Sequence, residues 1–269
     1  MSANEVDRPP KHRRETQRYG SIIVIGGGCY GSYYVRQLLR AARAGAIAYE
    51  RLLVVDRDPT CAVATATRDG KVTVVTEPWS EFLGKYLASA ASEPHNCCQD
   101  AIVPSPLMPH VMFDWLRDRA RERWPSRSIE MRPVSRAPSM PWQHAHPDGT
   151  HYVSFAEWMC PINCIEPANC PEIRGPRTWS MPQAVRAYVD AENSREGRLA
   201  GPVIFHCRHR AWGVGMFDTA DVLAGDRAVA FAVAKGAEPE GSRVDLLVAT
   251  VSHCHGALSI LSVGPSEQP

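Results

Sequence analysis

Two groups of residues in this chain have the types and spacings that chemistry requires. The first is Gly26-Gly27-Gly28-Cys29-Tyr30-Gly31, which satisfies G-x-G-x-x-G. In such a loop Gly26 permits a tight turn and Gly28 lets the backbone approach a pyrophosphate. Gly31 allows close packing of the following helix, whose N-terminus faces the anion. Asp56 closes the next apolar run, where a carboxylate accepts hydrogen bonds from an adenosine ribose. Together these residues predict dinucleotide binding.

The second group is Cys160-Pro-Ile-Asn-Cys164-Ile-Glu-Pro-Ala-Asn-Cys170, three thiols in a loop stiffened by Pro161, Pro167 and Pro171. Thiolates suit soft or borderline metals, and a constrained loop can bring them to one ion. The spacing is neither a ferredoxin run nor a C-x2-C zinc knuckle. A fourth ligand is expected from His206-Cys207-Arg208-His209, with Cys207 first, or from His253-Cys254-His255. An iron–sulfur cluster on Cys160, Cys164, Cys170 and Cys207 is the leading reading, zinc on the same residues the next, and ordinary buried thiols the plain one. If 253–255 ends a strand, alternation separates Cys254 from the two histidines. Cys29, Cys61, Cys97 and Cys98 read as structural, although the dipole at a helix N-terminus favours a Cys29 thiolate. His144, His146 and His151 read as exposed loop histidines, with Trp142, Trp158 and Trp179 packing the same region.

Elements must position these groups. Ser21-Ile-Ile-Val-Ile-Gly26 is a continuous apolar run bounded by glycine, as in a strand buried on both faces. From Tyr30 to about Ala44 the apolar residues Val35, Leu38, Leu39 and Ala42 recur at helical spacing. Arg51–Asp56 is a second buried strand and Val72–Thr76 a third. A helix is expected after Pro78, a short strand at Asp100–Val103, and a helix from Pro109, suited to a first helical position, to Arg123. Residues 124–177 lose periodicity, which predicts an irregular segment not organised by a sheet. Strand-like runs return at Pro202–Cys207, Arg227–Ala234 and Arg243–Ser252, with a short helix at Asp218–Ala224. The expected organisation is a flexible leader over 1–19, a nucleotide-binding domain over 20–125 and a Cys/His-rich second lobe over 126–269. The fold class is α/β: a Rossmann-like parallel sheet and a C-terminal lobe with an irregular Cys/Pro-rich loop and further strands.

Composition narrows the classes. The chain has 269 residues, 44% hydrophobic and 22% charged, with a formal charge of +1, so disorder throughout is excluded and no global field recruits nucleic acid. Nine cysteines, an odd number, argue against a disulfide framework in a cytoplasmic chain. No apolar run approaches a membrane span, and the polar N-terminus lacks a signal-peptide pattern; a cytoplasmic location is expected. No G-x-S-x-G elbow, P-loop or H-E-x-x-H motif is present.

Over Ser21–Asp58 the sequence resembles Rossmann NAD(P)-binding domains, including those of precorrin-2 dehydrogenases and of potassium-transport regulatory proteins. The resemblance extends over about residues 20–125 and implies a nucleotide rather than a reaction. It implies Gly26, Gly28 and Gly31 at the pyrophosphate and Asp56 at the ribose. Arg57 stands within reach of a 2′-phosphate that Asp56 would repel, which favours NAD over NADP. The expected function is an NAD(P)-binding redox protein that couples nicotinamide to a Cys/His metal centre and acts on a small molecule or a redox partner protein. The alternatives are a non-catalytic nucleotide sensor or assembly subunit with structural zinc, and a tetrapyrrole-tailoring dehydrogenase.

Overall fold

The computed structural model describes residues 16–67, 69–93, 99–136, 138–156, 164–196, 199–236 and 242–266. Strand β1 (Gln17–Ile25), helix α1 (Cys29–Arg43), strand β2 (Ile47–Asp56), the short α2 (Ala62–Ala66) and β3 (Val72–Thr76) follow the expected order. Helix α3 (Trp79–Ser92), β4 (Ala101–Val103) and α4 (Val111–Arg123) complete the first half. Pro109 is not the first helical residue as expected: α4 starts at Val111, with His110 at the N-cap. Strands β3, β2, β1 and β4 lie side by side in that order and are all parallel. The chain is thus a mixed α/β protein with parallel strands.

The later elements are β5 (Arg127–Arg132), β6 (Trp142–Ala145), β7 (His151–Ser154), the two-residue β8 (Asn169–Cys170) and β9 (Gly175–Pro176), and α5 (Met181–Glu196). They are followed by β10 (Leu199–His206), β11 (Arg208–Ala211), β12 (Val214–Asp218), α6 (Thr219–Gly236), β13 (Val244–Val251) and β14 (His255–Ser266). A second sheet runs β10-β13-β14-β7-β6, with β5 also on β14. Two expectations are corrected here. The segment after Trp124 is not free of sheet, since β5, β6 and β7 all pair into it. Arg227–Ala234 is not a strand but the later part of α6. Val222, Val229 and Val233 recur at helical spacing and are buried, while Phe231 stands 70% exposed.

The two sheets share a layer of helices. Alternation along β1 sends Ile23 and Ile25 to a core formed with α3, α4 and α6, and Ile22 and Val24 to a core under α1. Along β13 it sends Val244, Leu246 and Val248 to that same helical layer and Leu247, Ala249 and Val251 to α5. The order is therefore α1, first sheet, three helices, second sheet, α5. Each fully buried aliphatic chain contributes roughly 1.5–3 kcal/mol, so the shared layer fastens the sheets together. Strand β12 adds to β4 antiparallel, and β11 adds to β12. The first sheet thus draws on residues from both of the expected halves. Cys207 is the one residue between β10 of the second sheet and β11 of the first.

Buried Asp100 locks the junction. Its carboxylate accepts the Ser21 N–H at 2.6 Å and the Tyr86 hydroxyl at 2.8 Å, and its carbonyl accepts the Thr219 N–H at 3.0 Å. No helix among the described residues is long and apolar enough to cross a membrane.

Candidate functional site

Gly26 leaves β1 with a φ of 88°, a left-handed turn that glycine makes without steric cost. Helix α1 begins three residues on, so close that a Cβ on Gly31 would overlap the Gly26 carbonyl oxygen. Gly28 is different: its φ of −74° is ordinary, and nothing lies within 4 Å of the place a Cβ would take. It faces a groove of about 530 Å3 that Gly26, Gly31, Asp56 and Arg57 also line. Asp56 Oδ2 accepts the Gly27 N–H at 2.6 Å and Oδ1 accepts the Asp58 N–H at 2.9 Å, which fixes the carboxylate beside the turn. The structure brings all four nucleotide-site candidates to one groove at the carboxyl ends of β1 and β2. Cys61 has a structural place, its thiol lying where a Cβ on Gly27 would be. Cys29 is exposed.

A second cavity of about 320 Å3 adjoins the groove, and Tyr30 and Ser105 line both. Its apolar walls are Tyr30 and Tyr34 of α1, Trp142, Tyr152 and Phe217. Its chemistry comes from Cys164 and Glu166 in the loop before β8, Cys207 at the seam, His209, Thr250 and His255. Two of the four metal-site candidates, Cys164 and Cys207, therefore share this wall. Cys170 is buried in the β8–β9 hairpin and does not line the cavity. Cys160, with Cys97, Cys98 and Trp158, lies outside the described residues. Among the described residues, no three His, Cys, Asp or Glu side chains stand close enough to hold an ion together. Burial pushes the Cys207 thiol up to about 12, so without a metal it stays protonated and a poor nucleophile. Burial also raises Cys254, although its sulfur accepts the Trp179 indole N–H at 3.3 Å.

The hydrogen-bond pattern fixes what the imidazoles offer. His209 Nδ1 lies 2.6 Å from the Cys164 carbonyl oxygen. A carbonyl only accepts, so Nδ1 carries the hydrogen and Nε2 of the neutral ring holds the lone pair. A Cβ on Gly215 would lie 2.6 Å from Cys207 Sγ and 3.2 Å from His209 Nε2, so a glycine is required where thiol and ring meet β12. His255 Nδ1 lies 2.8 Å from Ser154 Oγ, which already accepts the Ala156 N–H at 3.0 Å. Ser154 is fully buried and its hydroxyl hydrogen has Nδ1 as its acceptor among the described residues, so the serine is assigned as donor, leaving an N–H on His255 Nε2. Burial lowers His255 to about 4, so this ring is neutral near pH 7. One ring nitrogen on the cavity wall accepts and the other donates.

His110 adds a third group. It is buried, its Nδ1 lies 2.9 Å from Thr250 Oγ1, and its Nε2 has no partner among the described residues. Burial pushes it down to about 3. A buried orphan acceptor is tolerated better than an orphan N–H, so the ring donates to Thr250 and leaves the threonine hydrogen for the cavity it lines. Sequence reasoning missed His110, Thr250, Tyr30, Ser105 and Glu166. Glu166 has a visible signal, a carboxylate between Cys164 and Pro167. Its φ of 49° and its acceptance of the His253 N–H at 2.8 Å pin the cysteine loop to the β13–β14 turn.

His253 and Cys254 lie in that turn, closed by Ser252 N–H to the His255 carbonyl at 2.8 Å. The alternation expected for a strand end therefore does not apply to them. His144, His146 and His151 belong to the β6–β7 hairpin and do not line the cavity. His146 pairs with Asp148 at 3.0 Å, and His151 bonds Gln143 at 3.1 Å.

Residues 112–264, more than half of the chain, match a family model described as "Uncharacterized protein, C-terminal domain". No curated protein and no solved structure matches the chain.

Proposed function

Because the chain belongs to the family described as uncharacterized protein, C-terminal domain, a description that names no chemistry, we propose a function from the geometry. The protein is an oxidoreductase that binds a nicotinamide dinucleotide along the glycine loop and acts on a small alcohol or carbonyl compound in the adjoining cavity. The observation that carries this reading is the junction of the two spaces at Tyr30 and Ser105. A dinucleotide with its adenosine ribose at Asp56 and its pyrophosphate at Gly28 directs its other end toward that junction. The parallel order β3-β2-β1-β4 supports the reading, since it is the order of a Rossmann half, and such sheets bind ligands outside the carboxyl ends of their strands.

The fit of the groove to a dinucleotide rests on Gly28, where open space replaces a side chain, and on the fixed Asp56 carboxylate. A bound nicotinamide would accept or deliver hydride. The chain supplies the proton chemistry. A substrate hydroxyl is held with its hydrogen toward His209 Nε2 and its oxygen toward the His255 N–H, so proton loss to His209 accompanies oxidation at carbon. The Thr250 hydroxyl is a further donor for the carbonyl form. Tyr30, Tyr34, Trp142 and Phe217 exclude water from the apolar body of the substrate.

A second reading keeps a metal in the cavity. His209 donates its Nδ1–H to a backbone carbonyl, as metal-bound imidazoles do. Cys164 and Cys207 on the cavity wall would be two of the metal's ligands; as they lie, no third His, Cys, Asp or Glu side chain among the described residues completes a set. Thiolates on this loop would hold iron–sulfur or zinc, and the metal would supply electron transfer in the first case and a rigid loop in the second.

The test measures NADH and NADPH binding by nicotinamide fluorescence, with metal and acid-labile sulfide analysis on protein purified without oxygen. Binding of either nucleotide supports the oxidoreductase, and binding of neither overturns it. Iron with sulfide assigns the cavity to electron transfer. Zinc alone assigns the cysteines to structure, and no metal removes the second reading.

A further inference from the structure

A third space lies along the free edge of β10, between the start of α5 and the inner half of α6. Its volume is about 530 Å3, and it shares no lining residue with either space described above. Its cations, Arg186 of α5 and Arg208 at the start of β11, converge there with two imidazoles, His206 at the end of β10 and His253 of the β13–β14 turn. On the opposite wall Ala224, Gly225 and Ala228 present almost no side chain, which leaves room for a ligand body.

The pairing of these cations is incomplete. Arg208 reaches Asp218 at 2.9 Å and Asp221 at 3.0 Å, both through Nη1, so the other edge of its guanidinium faces away from these carboxylates. Arg186 bonds only the Pro182 carbonyl oxygen, at 3.3 Å, and has no carboxylate partner among the described residues. Asp221 is the one acid among the described residues of the groove wall, against Arg186 and Arg208. The field in this corner is therefore positive, and two guanidinium forks with two imidazoles match a tetrahedral oxyanion better than a planar or apolar ligand.

We propose that this groove binds a phosphate group, as free phosphate or on a small phosphomonoester, with Arg186 and the open edge of Arg208 as charged arms and His206 and His253 as hydrogen-bonding partners. The proposal is independent of the nucleotide reading, because no glycine-loop residue takes part.

The experiment follows the histidine side-chain NMR signals of the full chain during titration with inorganic phosphate and then glycerol 3-phosphate. It is repeated in Gly28→Trp, which removes the glycine loop as a competing phosphate site. The His206 and His253 signals shift saturably in both proteins, and Arg186→Gln weakens the effect about tenfold to a hundredfold, as expected for one charged hydrogen bond. Arg186 is exposed, so its variant stays folded, and an unchanged unfolding temperature verifies this. Tighter binding of glycerol 3-phosphate identifies a phosphomonoester site, and equal binding identifies a site for the free ion. The proposal is overturned if chloride at equal ionic strength gives the same shifts, if Arg186→Gln binds as wild type, or if Gly28→Trp abolishes the response.

Discussion

Two single-methyl changes on the glycine loop separate architecture from ligand binding. Gly31→Ala puts a Cβ on top of the Gly26 carbonyl oxygen, a backbone atom that cannot step aside. The N-terminus of α1 or the turn must move by about 1 Å or more, and overpacking of this kind costs about 1–3 kcal/mol. Gly28→Ala puts its Cβ where nothing lies within 4 Å, at an ordinary φ of −74°, so folding stability changes by no more than about 0.5 kcal/mol. In the proposed complex that same space is where the pyrophosphate approaches the backbone. Displacing the phosphate from one charged hydrogen bond costs about 1.5–3 kcal/mol, about tenfold to a hundredfold in Kd, and Gly28→Trp fills the space outright. Urea unfolding and NADH fluorescence titration on the three variants give the comparison. Gly31→Ala unfolds at lower urea, while the two Gly28 variants unfold like wild type and bind NADH weakly or not at all. Unchanged NADH affinity in Gly28→Trp would refute the placement of the nucleotide, and unchanged stability in Gly31→Ala would refute the packing argument.

Further consequences can be measured directly. His110 and His255 have folded pKa values of about 3 and about 4, both lowered by burial and below the roughly 6.5 of a free imidazole. The unfolded chain therefore protonates first as pH falls. Stability is complete above about pH 6.5 and declines toward pH 4, with roughly 2 kcal/mol lost per ring by pH 5; urea midpoints should show this, with a shallower decline in His110→Asn, and a flat profile would contradict it. Arg210, its side chain 11% exposed, makes a two-point ion pair with Asp218 that ties β11 to the end of β12. Arg210→Met strands part of that carboxylate and lowers stability by about 3 kcal/mol or more in chemical denaturation, whereas a loss below about 1 kcal/mol would mean that Arg208 alone satisfies Asp218. Asp56→Ser removes the charge that opposes a 2′-phosphate while Arg57 remains, so the ratio of NADPH to NADH affinity rises; an unchanged ratio would place the ribose elsewhere.

The sequence makes the N-terminal unit legible because strands buried on both faces read as unbroken apolar runs, and the glycine loop between them has mechanical requirements at fixed spacing. Val72–Thr76 is found to the residue for the same reason. The misreadings have equally local causes. Val229, Phe231 and Val233 are β-branched or aromatic and read as a strand, yet in α6 Val229 and Val233 lie one turn apart on the buried face and Phe231 is left in solvent. Strands β5 and β6 have no fully buried residue, so they carry no alternation to detect. The cavity was half visible: its cysteines and histidines stood out as residue types. Thr250, Ser154 and His110 are ordinary in sequence and gain meaning only when β13, β7 and α4 bring them together.

The place of β12 also governs the order in which the molecule can assemble. Phe217 and Asp218 pair with Ile102 and Ala101 of β4, across more than a hundred residues of chain. Loop closure over that distance is slow relative to local contacts. During synthesis the first three parallel strands and α1 can collapse early, but β4 presents an open edge until the ribosome has released residues well past 218. Unpaired edges are templates for aggregation, so a chain interrupted before β12 would be expected to accumulate in inclusion bodies, with its nucleotide loop formed and its sheet unfinished.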